Sequence, residues 1–141
     1  MFKTVLVPVD ILDVDTARPA LARATALAEA SGGTVRLVHV RSLVPLTYME
    51  FVPSTFDEEQ QRDAEDRLAK LAATVELPAE RVSSVVRLGS VYAEVLDEAE
   101  RTGADLVVVG SHRPSMATYL LGSNAATIVR HAKSSVLVVR D

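Results

Sequence analysis

The chain predicts a single α/β domain, an open parallel sheet with helices on both faces. Short apolar runs rich in β-branched residues alternate with longer stretches whose apolar residues recur at helical spacing. The apolar runs are continuous rather than alternating, as in strands buried on both sides. The stretches between them are long enough for right-handed crossovers, giving the order βαβαβαβαβ. At 141 residues, 48% apolar but only 4% aromatic, the core must be built from Val, Leu and Ala. Folding at this length buries roughly 68–70% of the unfolded surface. No linker, repeat or low-complexity tract divides the chain, so residues 1–141 read as one domain.

The first strand runs from Thr4 to Val9. A helix follows from Thr16 to Ala30, opened by an Asp15-Thr16 cap with Pro19 in its first turn and closed by Gly32-Gly33. The second strand is Thr34 to Val40. From Asp57, the sequence Asp57-Glu58-Glu59-Gln60 resembles a capping box, and Ala64, Leu68, Leu71, Ala72 and Val75 share one stripe. Arg81 to Leu88 alternates and carries Ser83 and Ser84, which suits an edge strand. Ser90 caps a third helix with Val91, Val95, Leu96 and Ala99 inward and Gly103 as a left-handed C-cap. Asp105 to Val109 is a fourth strand, Ser123 to His131 a fourth helix and Ser135 to Val139 the last strand. The long connection from Ser42 to Phe56 holds Leu43, Val44, Leu46, Tyr48, Met49, Phe51, Val52 and Phe56. It reads as a flap over a ligand or a contact with a second subunit, with packing on its own domain as the alternative.

Several function classes are excluded. Fifteen basic against nineteen acidic residues leave a net charge of −4 with no basic run, which argues against nucleic acid or an anionic membrane as partner. The absence of cysteine removes disulfides, thiol nucleophiles and Cys-ligated zinc, and no His pair has metal-ligand spacing. The N-terminal run is broken by Pro8 and Asp10 and reads as a strand rather than a signal peptide, so a cytoplasmic location is expected. Neither G-x-x-x-x-G-K-S/T nor G-x-G-x-x-G occurs. A phosphoacceptor receiver would need an aspartate after the third strand and a lysine after the fifth, where this chain has Gly89 and Arg140.

Ligands of such sheets collect at the carboxyl ends of the strands, where the strand order reverses. There the chain places Pro8-Val9-Asp10, Arg41, Gly89-Ser90, Gly110-Ser111-His112-Arg113 and Arg140-Asp141. Gly110 lets the backbone approach a phosphate, and the helix after Gly122-Ser123-Asn124 offers unpaired N–H groups and its positive dipole end. Ser111, His112 and Ser123 add small donors, and Arg113 adds a planar guanidinium fork. Asp10 suits ribose hydroxyls or a hydrated Mg²⁺. A plain turn at Gly110, an N-cap at Ser123 and a loop cap at Asp10 are the structural alternatives. His39 reads as a satisfied sheet histidine, and His131 as a partner of a helix C-terminus.

The stretches Lys3-Thr4-Val5-Leu6-Val7-Pro8-Val9-Asp10, Gly103 to Ser111, and His112-Arg113-Pro114 to Arg140 resemble the universal stress protein family, particularly its F and G types. The likeness covers essentially the whole chain. It implies a strand order of 3-2-1-4-5, ATP binding in many members, and a homodimer through antiparallel pairing of the last strands, here around Val136 and Val138, with further assembly to a tetramer left open. ATP-binding members carry G-x-x-G-x9-G-S/T, which matches at Gly110, Gly122 and Ser123 but breaks at Arg113, with one residue fewer before Gly122. Residue by residue, the resemblance implies that Pro8, Val9 and Asp10 border the ribose and adenine. Val40 would offer backbone groups to the adenine edge, and Gly110, Gly122, Ser123 and Asn124 would hold phosphates. Ser111, His112 and Arg113 join them on local chemistry. The expected ligand is ATP, with ADP or AMP as alternatives and Mg²⁺ as companion. The expected role is a stress-response or signalling module without fast catalysis. The alternatives are a slow ATPase or autophosphorylating enzyme, and a nucleotide-free dimeric interaction protein, since the A type shares the fold without binding ATP.

Overall fold

The computed structural model describes residues 1–42, 55–110 and 123–140. Its elements are β1 (Thr4–Pro8), α1 (Val14–Ser31), β2 (Thr34–Arg41), α2 (Phe56–Ala72), a 3-10 turn (Ala79–Arg81), β3 (Val82–Leu88), α3 (Val91–Thr102), β4 (Leu106–Gly110), α4 (Ser123–His131) and β5 (Ser135–Val139). The five strands are parallel and ordered β3-β2-β1-β4-β5, the doubly wound arrangement expected. The order reverses between β1 and β4, so the residues leaving these two strands flank the crevice where such folds place ligands.

Continuous apolar strands serve two cores because successive side chains point to opposite faces. Val5 and Val7 pack with the alanine stripe Ala17, Ala20, Ala24 and Ala28 of α1 and with Leu68 and Leu71 of α2. Leu6, Val107 and Val109 pack on the other face with Val95 and Ala99 of α3 and Ile128 of α4. The small side chains on α1 bring that helix close to the sheet. At the return into β2, a Cβ on Gly33 would lie 2.6 Å from the Phe2 carbonyl oxygen, so only glycine fits.

Two helix starts differ from the sequence reading. α1 begins at Val14 with Asp13 as N-cap, not at Asp15-Thr16, and Pro19 therefore falls beyond the first turn. The cause is a tight turn upstream: the Leu12 amide donates to Asp10 Oδ1 at 2.9 Å and the Asp13 amide to the Asp10 carbonyl at 3.0 Å, which starts the helical winding early. α2 begins at Phe56 with Thr55 as N-cap, so no capping box forms at Asp57. Asp57 is instead drawn into an ion pair with Arg41. Ser90 is the N-cap of α3 as expected, but its side chain makes no capping hydrogen bond. Val75 lies past the end of α2 and packs against the core from the following turn. Gly103 takes the expected left-handed conformation, φ 68°.

Candidate functional site

At the carboxyl edge of the sheet a cleft of about 600 Å³ is lined by residues from the ends of β1 and β2 and from α2, α3 and α4. This volume falls in the range of small-ligand sites. Of the residues expected at the site, Pro8, Val9, Asp10, Val40 and Asn124 meet in this cleft. Gly110 lines a smaller hollow of about 180 Å³ with Asp13 and Thr16 of the α1 entry, and this hollow shares Pro8, Val9 and Asp10 with the main cleft. Ser123 begins α4. Ser111, His112, Arg113 and Gly122 lie outside the described residues, as do residues 43–54 of the expected flap.

The local backbone explains how the first strand feeds the site. The Val9 amide donates to the Val38 carbonyl at 2.8 Å, extending the β1–β2 pairing by one bond before the chain turns away at Asp10. His39 stands beside this exit. Its Nδ1 lies 3.0 Å from the Val9 carbonyl oxygen, to which the Nδ1–H tautomer donates, and 3.4 Å from the Ile11 amide, from which Nδ1 accepts in the other tautomer. The sheet histidine is therefore satisfied as expected, and its ring also lines the cleft.

Gly110 is the terminal residue of β4 and is exposed. Among the described residues, the nearest atom to a Cβ built there is the Thr16 carbonyl oxygen at 3.9 Å, ordinary van der Waals contact. Its φ is not positive, in contrast to Gly32, Gly89 and Gly103. Neither backbone strain nor crowding among the described residues thus calls for glycine at this point.

Sequence reasoning missed the helical walls of the cleft. Phe56, Gln60, Asp63 and Ala64 of α2 form one side, and Val91 and Val95 of α3 another. Their spacing was visible, since Phe56, Gln60 and Asp63 are four and three residues apart and so share a helix face. A helix starting at Asp57 hid this, because it left Phe56 in the segment expected as a flap over a ligand or a subunit contact, whereas Phe56 is the first residue of α2. Arg41 holds α2 in place, donating to Asp57 Oδ1 and Gln61 Oε1, both at 2.8 Å. The Gly89 amide donates to the Arg41 carbonyl at 2.9 Å, tying the exit of β3 to the same residue.

These features define a class: a doubly wound α/β protein with an open cleft beside the point where its strand order reverses. Within that class the chain belongs to the universal stress protein family, whose profile matches residues 1–140. It is 40% identical to universal stress protein G of Escherichia coli O157:H7, over 99% of this chain and 100% of that one. Among solved structures, universal stress protein UspA of Lactobacillus plantarum shares the fold with a TM-score of 0.79 at 23% identity, covering 99% of this chain and 98% of that chain. A universal stress protein in complex with cAMP superimposes with a TM-score of 0.63 at 26% identity, covering 99% and 97% of the two chains.

Proposed function

We propose that the chain binds an adenine nucleotide, ATP with Mg²⁺, in the carboxyl-edge cleft and acts as a nucleotide-dependent stress-response or signalling module. The observation that carries this reading is Gly110: a glycine at the end of β4 whose Cβ position no described residue crowds, lining the smaller hollow together with Asp10. A backbone without a Cβ at such a point is what close approach of a phosphate requires. Asn124, in the first turn of α4, lines the main cleft, where helix amides and dipole favour an anion. The apolar part of the cleft, Val40 with Val91 and Val95, suits a base. Asp10 is the group for ribose hydroxyls or a hydrated Mg²⁺. A nucleotide-bound relative, the cAMP complex, supports the ligand class. Gly110, Ser111, His112, Arg113, Gly122 and Ser123 complete the proposed phosphate end.

The proposed role is binding without rapid turnover, with a slow ATPase or autophosphorylating enzyme as the alternative. The subunit is proposed to pair with a second copy through β5, an outer strand of the sheet whose Val136, Leu137 and Val138 are half-buried within one chain. Equilibrium dialysis with labelled ATP and Mg²⁺ tests the nucleotide reading. Saturable, one-to-one binding by folded protein is expected, and its absence at cellular ATP concentrations overturns it.

A further inference from the structure

The α2 wall of the cleft carries three side chains of complementary chemistry: the ring of Phe56, the amide of Gln60 and the carboxylate of Asp63. They recur at i, i+4 and i+7, on one face of the helix. Their placement is fixed from behind. Arg41, directly after Val40, has a side chain only 11% exposed and bonds both Asp57 and Gln61 on the same helix. The Asp63 carboxylate is itself held through Oδ2 by Arg67 Nε at 3.2 Å, one turn further along. An aromatic ring on the same helix face as an amide and an acceptor is the equipment for reading a heterocyclic base by stacking and by its edge.

We propose that this stripe of α2 selects the base, accepting a purine with an amino group at C6 and rejecting its 6-oxo counterpart. The inference rests on the nucleotide reading above and adds a residue-level cause for its specificity. An ionised carboxylate is an acceptor only. A 6-amino group donates to it, whereas a 6-oxo oxygen turns a second acceptor against it. The Asp63 side chain is 56% exposed, so the discrimination is that of one solvent-accessible hydrogen bond to a charged group, about tenfold. Gln60, with both donor and acceptor, matches the paired donor and acceptor of the adenine edge. Phe56 supplies stacking that is indifferent to the substituent.

ATP and ITP differ in the base at C6 and in protonation of the adjacent ring nitrogen, which makes them the direct probes. Their dissociation constants are measured by equilibrium dialysis for the wild type, Asp63→Asn and Phe56→Leu, alongside thermal melts. The wild type is expected to favour ATP by about tenfold. Asp63→Asn, whose amide both donates and accepts, should bring the two affinities to within about threefold with an unchanged melting temperature. Phe56→Leu should weaken both nucleotides by about tenfold and keep their ratio. The ratio separates recognition from scaffolding, because a loosened cleft weakens both ligands alike. Equal affinities in the wild type, or an unchanged ratio in Asp63→Asn, overturn the base assignment while leaving nucleotide binding intact. Unchanged affinities in Phe56→Leu overturn the stacking role. Binding of neither nucleotide by the wild type overturns the parent reading and this one with it.

Discussion

Glu98 is fully buried, and three guanidinium groups converge on its carboxylate. Arg36 Nε donates at 2.6 Å, Arg87 at 2.6 Å and Arg101 at 3.1 Å, so the charge is matched where it stands. Burial alone pushes this carboxyl up, but the hydrogen bonds from Arg36, Arg87 and Arg101 outweigh it and leave the group below its ordinary value. The stabilisation is therefore present above the unfolded-state pKa and is lost as pH falls through the lower folded-state value. Unfolding free energy measured in denaturant should decline on acidification below about pH 4. Glu98→Gln should be less stable at pH 7 by about 3 kcal/mol and show a flatter acid limb. Asp105 keeps some slope in that variant, since its burial is likewise outweighed, by the Lys3 and Thr4 amides. Two glycines make a second residue-scale test. Gly33→Ala drives a Cβ into the backbone of Phe2 and Lys3, at 2.6 and 2.8 Å, and should lose at least about 2 kcal/mol of stability. Gly110→Ala meets only an ordinary contact among the described residues and should melt close to the wild type while binding ATP at least about tenfold more weakly. Equal loss of stability in both variants would make Gly110 a packing residue.

At the scale of elements, the sequence was most legible where strands are buried on both faces. β5 has the predicted bounds, β1 and β2 differ by a residue at one end and β4 is shifted by one residue, because a continuous β-branched run has few alternatives in a doubly covered sheet. The edge position of β3 was readable from Ser83 and Ser84. Helix starts were less legible because their caps depend on groups remote in the chain. Asp57 looked like a capping-box residue, but Arg41 claims it across a sequence gap that no local pattern spans. Asp15 looked like a cap, but the turn at Asp10 winds the helix from Val14. The same limit explains the site. Pro8 to Asp10, which close the first strand, could be found from topology and Val40 from the family resemblance, whereas Phe56, Gln60 and Asp63 reach the cleft only through the docking of α2. The Arg87 network, which joins β3 to Glu94, Asp97 and Glu98 of α3, was equally invisible, since alternating charges on a helix ordinarily read as a solvated face.

The two outer strands of the molecule are unlike in a way that bears on assembly. β3 presents exposed Ser83 and carries Arg87, and such polar and charged groups guard an edge against pairing. β5 has no charged residue from Ser135 to Val139, and three of its apolar side chains remain only half-buried. A self-complementary contact across this edge would be isologous, closing as a twofold dimer rather than growing into a fibre. It would also leave the cleft accessible, because the cleft opens at the strand ends while the pairing would use the lateral edge. Sedimentation equilibrium at micromolar concentration should give twice the chain mass of 15.2 kDa. Val138→Lys, which sets a charge on each side of the contact, should yield the monomer. Ser83→Lys on the opposite edge should leave the dimer mass unchanged. A monomeric wild type, or dissociation by the Ser83 change instead of the Val138 change, would reject β5 as the contact. With dissociation confined to Val138→Lys, ATP affinity of that variant then tells whether the cleft acts within one subunit: an affinity within about twofold of the wild type is expected, since β5 contributes no described residue to it.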